Sequence, residues 1–522
     1  MPGSPEPAWQ GFAPLLAAIL GAAMFAVSLD GVYVYDDPGL ILEDPRVQEP
    51  ARFWELWTSA YHPDSVDNLY RPLTSTSFAL QWHLHGDRPW VFHLVNILLH
   101  AGNCALVVML LRRAGEAVRR SPAPLIAGVL FAAHPIHVEA VANLAGRAEL
   151  LCTLGALLGV VLLLGRPLTV GRSVAIFLCF VLSVLSKEHG MLLPFLILLA
   201  SRLRPFAPDE KRPVQVLTLL LCLGLASVIL VREYALGLPF YWERHWLDWT
   251  RNPIVRPDAD KYLLPLVLLG RYTALLIFPW KLSVDYGGLV IGWTVRWSDP
   301  YFWIGIAALA AWLAILAAAL WRRWRVVAFL VLSLGLTYTL ASNFIIIIGT
   351  IFGERLMYLP SVFFVGLVAM LLAKLPRPAW AIVTLILLLA AGVRTETYAV
   401  RWNDPPTFFE SALRDQPKSP MAHLMVAVNR WERGDMAGAI EIAEQKRRLY
   451  PDYHHAWLLA GYFRMLAGDY DLAEQYFRKA HALAPNPMGV IFYMQQLRQR
   501  RADAASPATA PSPATEAPPL PR

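Results

Sequence analysis

Charge is the scarcest feature of this chain. Of its 522 residues only 16% are Asp, Glu, Lys or Arg, where soluble domains average roughly 25%. That shortage excludes a soluble enzyme and a charge-rich disordered scaffold together. Cysteine is scarce as well, at four residues. Cys104, Cys152, Cys179 and Cys222 all fall inside apolar segments, and no loop carries a paired spacing. A disulfide or zinc framework is therefore excluded, and the four are expected to be small buried hydrophobes. Basic residues gather in short clusters between apolar runs, so a net charge of +7 marks cytoplasmic loops and gives no footprint for nucleic acid. The first apolar run lacks basic flanks and a small-residue cleavage site, and is expected to stay as an uncleaved span.

What is abundant is apolar side chain, 56% of the residues, with a mean hydropathy of +0.43. Runs such as 11–29 and 148–164 approach the ~20 residues that cross a bilayer. Nineteen Trp and nineteen Tyr, many flanking these runs, suit interfacial belts. The fold class is therefore all-α, a polytopic membrane bundle. Twelve apolar segments lie between residues 11 and 393. The segment 262–279 carries Arg271 at its centre and Pro265 near its start. Treating it as an interfacial or re-entrant helix within an outer segment, 232–300, puts all five basic clusters on the cytoplasmic side. That leaves about eleven spans in a membrane domain covering 1–395, with the N-terminus inside and the C-terminal region outside.

Residues 400–500 read as a separate helical domain with an internal repeat. Gly434/Gly468, Asp435/Asp469, Ala439/Ala473 and Pro451/Pro485 each recur at 34 residues, the period of tetratricopeptide helix pairs. The Pro/Ala-rich stretch 503–522 has too little apolar content to fold and is expected to be disordered.

The residues that carry chemistry gather, in this topology, on the outer side. The first outer loop, 30–90, holds Asp36 and Asp37 just beyond the first span, where adjacent carboxylates supply a general base or a cation ligand, or else cap a loop helix. The second span bears His93, Asn96, His100 and Asn103 on one helical face. Helix–helix hydrogen bonding is expected of His100 and Asn103, and a pocket role of His93. His134, His137 and Glu139 combine metal-binding side chains, but their spacing matches no metal signature and Pro135 breaks the helix between the histidines. A polar pocket wall is the expectation there. Lys187 with Glu188, and Glu354 with Arg355, place adjacent opposite charges at span boundaries, suited to ion pairs or to phosphate. Together with Arg71 they describe a site for a phosphate-linked substrate. No cofactor is expected, and no ligand spacing calls for a divalent metal.

Taken in order, "YDDP", "YRPLTSTSF", "HLVNILLH", "HPIHVEAV…GRAELL", "SKEHG", "FPWKLSVDY" and "GERLMYLPS" resemble the cadherin-targeting transmembrane O-mannosyltransferases, and the repeats after 400 resemble that family's C-terminal tetratricopeptide domain. The resemblance covers about residues 15–500. It implies a GT-C glycosyltransferase that moves a mannose-like sugar from a polyprenyl-phosphate donor to a protein Ser/Thr hydroxyl, with inversion. By motif it makes Asp36 or Asp37 the base, and Arg71, His93, Lys187 and Arg355 contacts to the donor phosphate. It places the chemistry in the periplasm of a bacterial member, or in the endoplasmic reticulum of a eukaryotic one. The repeats would engage the protein acceptor. A flippase or transporter for a lipid-linked glycan, and a non-catalytic membrane-anchored repeat scaffold, are the competing readings. A transporter would place its charges near the bilayer midplane and show repeats in its membrane half. A scaffold would need no carboxylates and cations gathered on one side.

Overall fold

The computed structural model describes residues 9–62, 69–165, 167–237, 252–283, 285–484 and 487–505. Among them the regular structure is helical, and they divide into two compact units. The first contains residues up to 284 and 292–405. Its main helices are α1 (Trp9–Met24), α2 (Pro72–His85), α3 (Pro89–Ala114), α4 (Ala123–Ala133), α5 (Arg147–Gly165), α6 (Val170–Ser186) and α7 (Leu193–Ser201). They continue as α8 (Lys211–Leu236), α9 (Leu264–Ile277), α10 (Pro300–Trp321), α11 (Arg325–Tyr338), α12 (Tyr358–Leu372) and α13 (Ala379–Ala399).

Local chemistry sets the starts. Proline opens α2, α3 and α10, where its missing N–H is no loss and its φ is already helical. Side chains of Thr169 and Asp299 accept from the backbone N–H groups of Arg172 and Tyr301, capping α6 and α10.

This is a multi-pass membrane protein. Among the described residues, six helical stretches are long and apolar enough to cross a bilayer: Pro89–Ala114, Leu144–Gly165, Pro208–Leu236, Pro300–Trp321, Glu354–Leu372 and Ala379–Trp402. Ala123–Ala133 with Pro135–Val141 makes a seventh if that pair, bent by 52°, is one span. The bend has a local cause, because Pro135 supplies no N–H and His134 before it is extended at ψ 122°. Five shorter apolar helices follow the remaining hydrophobic runs. The count of eleven needs four of those five to cross as well. The fifth, α9, is the segment read as interfacial. It lies antiparallel against α10 so closely that a Cβ at Gly270 would fall 1.8 Å from the Tyr301 carbonyl oxygen.

Helix α3 packs against both α4 and α5, and most residues of the three are buried. By contrast Pro208–Leu236, Pro300–Trp321 and Ala379–Trp402 bury only 17%, 11% and 11% of their apolar windows in protein, as helices facing lipid do. Cys222, on α8, is exposed there, whereas Cys104, Cys152 and Cys179 are buried as expected. The physical reason is that α8 touches little besides α6.

The second unit holds Asp285–Ile291 and the chain from Pro406. It contains α14 (Pro405–Asp415), α15 (Pro420–Glu432), α16 (Met436–Leu449), α17 (His454–Leu466), α18 (Tyr470–Leu483) and α19 (Met488–Ala505). The pairs α15–α16 and α17–α18 share one core of Val426, Ala439, Leu459, Phe463, Ala473 and Phe477. Each pair turns on a glycine, Gly434 at φ +85° and Gly468 at φ +83°, so the 34-residue period is that of the hairpin turn. Pro485 lies outside the described residues. So does the tail from 506 onward, while the first three residues expected in it continue α19.

Candidate active site

The chain leaving α1 makes the first half of the site. Tyr35 adopts φ +64°, a left-handed conformation that costs an aromatic residue about 1 kcal/mol or more. That turn sends the two carboxylates beside it into different surroundings. Asp37 is 1% exposed; its Oδ1 accepts from the Ala145 N–H at 2.9 Å and its Oδ2 from the Val34 N–H at 3.2 Å. Burial pushes its pKa up to about 7; the N–H groups of Ala145 and Val34 pull the other way, and the charge of Asp36 adds to the rise. Asp36 instead keeps 30% of its side chain exposed and accepts from Arg355 Nη1 at 3.2 Å. The neighbours are thus a scaffold acid and an accessible one.

Arg355 is held from behind. Glu139 Oε2 accepts from its backbone N–H at 2.8 Å, and Glu139 Oε1 lies 3.4 Å from its Nε. Glu139 sits in a one-turn helix that the Pro135 bend carries away from α4. The chain then doubles back so tightly at Gly146 that a Cβ would lie 2.3 Å from the Ala140 carbonyl oxygen. Arg147, the next residue, is fully buried, donating to Asn96 Oδ1 at 2.9 Å and to the Phe92 carbonyl at 3.0 Å, with its guanidinium 4.5 Å from the Phe78 ring centroid.

The third wall is the break between α6 and α7. Lys187 is buried in an ion pair with Glu149. Glu188 points the other way, 41% exposed, and takes a bidentate pair from Arg71 at 3.0 and 2.8 Å. Gly190 is again demanded by space, since a Cβ there would come within 2.3 Å of the Ser183 carbonyl carbon. Thr74 Oγ1 donates to the Ser186 carbonyl and ties α2 to this break. The Arg71 guanidinium lies 5.1 Å from the Tyr61 ring centroid. Tyr61 is fixed in turn by Arg46, which donates to its carbonyl while paired with the buried Asp44. The charges form one group: Lys187 lies within electrostatic range of Arg71 and Arg355, and Glu139 of Asp36 and Lys187.

Of the residues chosen from sequence, Asp36, Arg71, Glu139, Lys187, Glu188 and Arg355 come together. Others take structural tasks. Asp37 ties its loop to residue 145. His93 is buried beneath Gly31, whose Cβ would meet its ring at 2.9 Å. His134 donates from Nε2 to the Leu276 carbonyl at 3.0 Å, and His137 bonds the Phe131 carbonyl and Ser361 Oγ. The ring nitrogens of His134 and His137 are all taken up in holding elements together. Glu354 is fully buried, accepting from the Ser283 N–H at 2.6 Å. Lys187, taken for a phosphate ligand, is occupied by Glu149. His100 and Asn103 do bond between helices, meeting at the Tyr358 hydroxyl. Sequence reasoning missed Glu149, Tyr61 and His189. Glu149 carried a signal, as a charge opening a long apolar run; Tyr61 carried none. Among the described residues no three histidine, cysteine or carboxylate side chains converge as a metal site. The carboxylates with open faces are Asp36 and Glu188.

Chemically, the group offers an accessible base beside a guanidinium that is already oriented by a second carboxylate. This suits abstraction of a hydroxyl proton next to an anionic leaving group.

Comparison with known proteins gives relatives over most of this length. The chain is 27% identical over 515 residues to protein O-mannosyl-transferase TMTC4 of Mus musculus, covering 84% of this chain and 66% of that protein. It is 28% identical over 504 residues to TMTC4 of Homo sapiens, covering 82% and 65%. Protein O-mannosyl-transferase Tmtc3 of Drosophila melanogaster is 26% identical over 518 residues, 84% of this chain and 54% of that one. The chain thus spans just under two thirds of the length of the first of these relatives and less of the others. No protein-family profile matches it, and no solved structure does.

Proposed function

We propose that this chain is a membrane glycosyltransferase of the O-mannosyltransferase kind, moving a mannose-like sugar from a polyprenyl-phosphate donor to a Ser or Thr hydroxyl of a protein. The observation that carries the reading is the Glu139–Arg355–Asp36 row. It holds one accessible carboxylate against one oriented guanidinium where apolar helices end.

In the proposed step the acceptor oxygen attacks the anomeric carbon as the bond from that carbon to the phosphate oxygen breaks. The hydroxyl proton passes to Asp36, and the bonding pair leaves with the phosphate. Asp36 and Arg355 are paired at rest. An arriving phosphate competes for the guanidinium, because charge-assisted hydrogen bonds to phosphate are strong, and so frees the carboxylate to act. Proton removal contributes ~10²–10⁴ in rate, and a fixed cation facing the leaving group adds stabilisation as charge develops there. Attack opposite the departing phosphate inverts the anomeric carbon. One phosphate, unlike a pyrophosphate, is matched by guanidinium alone, so the reading assigns no metal.

The site lies on the outer face, and the helical repeats, of tetratricopeptide type, read the acceptor on their concave surface. For a bacterial chain this is the inner membrane with the chemistry in the periplasm; for a eukaryotic one, the endoplasmic reticulum with the chemistry in the lumen. The test is transfer of labelled mannose from polyprenyl-phosphate mannose to a Ser/Thr peptide by the purified chain in proteoliposomes, with EDTA present. Transfer with inversion supports the reading. Translocation of the intact donor without bond cleavage would assign a flippase instead.

A further inference from the structure

Two side chains beside the Arg71–Glu188 pair have polar atoms that no group among the described residues satisfies. The Tyr61 hydroxyl is one, on a residue 4% exposed; both ring nitrogens of His189 are the others, on a residue 5% exposed. Buried polar atoms are costly to leave unpaired, and exceptions of this kind call for a partner that arrives. Their surroundings say where such a partner would lie. Tyr61 stacks under the Arg71 guanidinium, and its hydroxyl is within electrostatic range of Asp36 and Arg355. His189 neighbours Glu149, Lys187, Glu188 and Arg71. Tyr61 thus lies within range of Asp36 and Arg355, His189 within range of the buried Lys187–Glu149 pair, and Arg71 is common to both surroundings.

We propose that Tyr61, His189 and the Arg71–Glu188 pair form a subsite that hydrogen-bonds the ring hydroxyls of the donor sugar. The inference rests on the glycosyl-transfer reading above and deepens it. Geometry argues against a second phosphate site, because Glu188 holds Arg71 bidentately at 3.0 and 2.8 Å, a tighter pairing than the 3.2 Å bond from Arg355 to Asp36 that a phosphate would displace. A neutral ligand rich in hydroxyls matches what remains. A phenol and an imidazole each donate and accept, as a sugar hydroxyl does, and the open face of Glu188 accepts from one more. The subsite also borders Asp36, so a sugar held there presents its anomeric carbon to the reacting row. Arg46 takes part as a positioning residue, since it anchors the Tyr61 carbonyl and leaves the hydroxyl end unheld.

The experiment uses the full chain in proteoliposomes and compares wild type with Tyr61→Phe on polyprenyl-phosphate mannose and on donors deoxygenated singly at C2, C4 or C6. Removing an oxygen that has no protein partner should leave the melting temperature unchanged or raise it. It should raise KM for the mannose donor roughly tenfold, the effect of about one lost hydrogen bond. For one of the deoxy donors the wild type should already be impaired and Tyr61→Phe should add nothing. His189→Gln, which keeps one donor and one acceptor, should lose less than His189→Leu. A fall in melting temperature with no donor dependence, or an equal penalty on every donor, would overturn the subsite while leaving the transferase reading intact. Absence of transfer by the wild type would overturn both.

Discussion

Asp36 and Asp37 are adjacent in the chain and identical in chemistry, yet only Asp36 keeps an open face. The difference lies in their partners: Asp37 is taken up by the N–H groups of Ala145 and Val34, and Asp36 meets Arg355. This part of the site was only half legible in sequence: an acidic pair after an apolar run marks a candidate base, but nothing in "YVYDDP" says which oxygen faces inward. Arg71, Glu188 and Arg355 were legible because charge is so rare in this chain that each occurrence at a span boundary stands out. The partnership of Lys187 with Glu149 was not, since it joins residues from two helices. The histidines misled for a related reason. Sequence gives their type, while their role depends on backbone carbonyls that the Pro135 bend places beside them. The scaffold role of Asp37 has a pH signature. Its folded-state pKa, pushed up to about 7, lies above the ordinary carboxyl value, so the folded state favours the protonated form. The stability from that preference is present in full below about pH 4 and is lost as pH rises through 7. Thermal unfolding in detergent between pH 5 and 8 should show wild type falling with a slope that Asp37→Asn flattens. An equal slope in both proteins would remove this carboxyl from the account.

At the scale of elements, apolar runs announced the helices well, and the positions of their close contacts not at all. Helix α9 shows why. Its composition predicts an apolar segment interrupted by Arg271, and the structure stacks that arginine over the Tyr301 ring at 4.5 Å. What fixes its place is the pair Gly270 and Gly305, each pressed against a carbonyl of the facing helix. The crossing matters to the site, because Tyr272 on α9 both donates to the Gly353 carbonyl and accepts from the Gly353 N–H, two residues before Arg355. Gly270→Ala should therefore displace α9, lower stability by about 1–3 kcal/mol as overpacking does, and reduce turnover more than it changes donor KM. A melting temperature and turnover equal to wild type would show that the crossing is looser than this.

The whole molecule joins a membrane unit that contains the Glu139–Arg355–Asp36 row to a repeat unit with its own apolar core. The repeat was the most legible feature of all, since four residue types recurring at one spacing leave little freedom of interpretation. Orientation in the membrane and the reach of the repeats depend on lipid and on partners, and so lie outside what a pattern of residues encodes. Because the row is built wholly from the first unit, a chain ended after Pro405 should still hydrolyse the donor within a few-fold of wild type, while transfer to a protein acceptor falls by tenfold or more (order of magnitude as for lost binding energy of about 1.4 kcal/mol). Parallel loss of both activities in a folded truncation would contradict the division of labour.

The account turns on Asp36 as the base and Arg355 as its oriented partner. The most direct measurement is sugar transfer from polyprenyl-phosphate mannose by purified Asp36→Asn and Asp37→Asn, side by side with wild type and with donor binding measured on each. Asp36→Asn keeps shape and hydrogen bonding but cannot take a proton. The account predicts that it binds donor normally and loses transfer by ~10²–10⁴, with Asp37→Asn impaired chiefly in stability. Transfer by Asp36→Asn at the wild-type rate would contradict it.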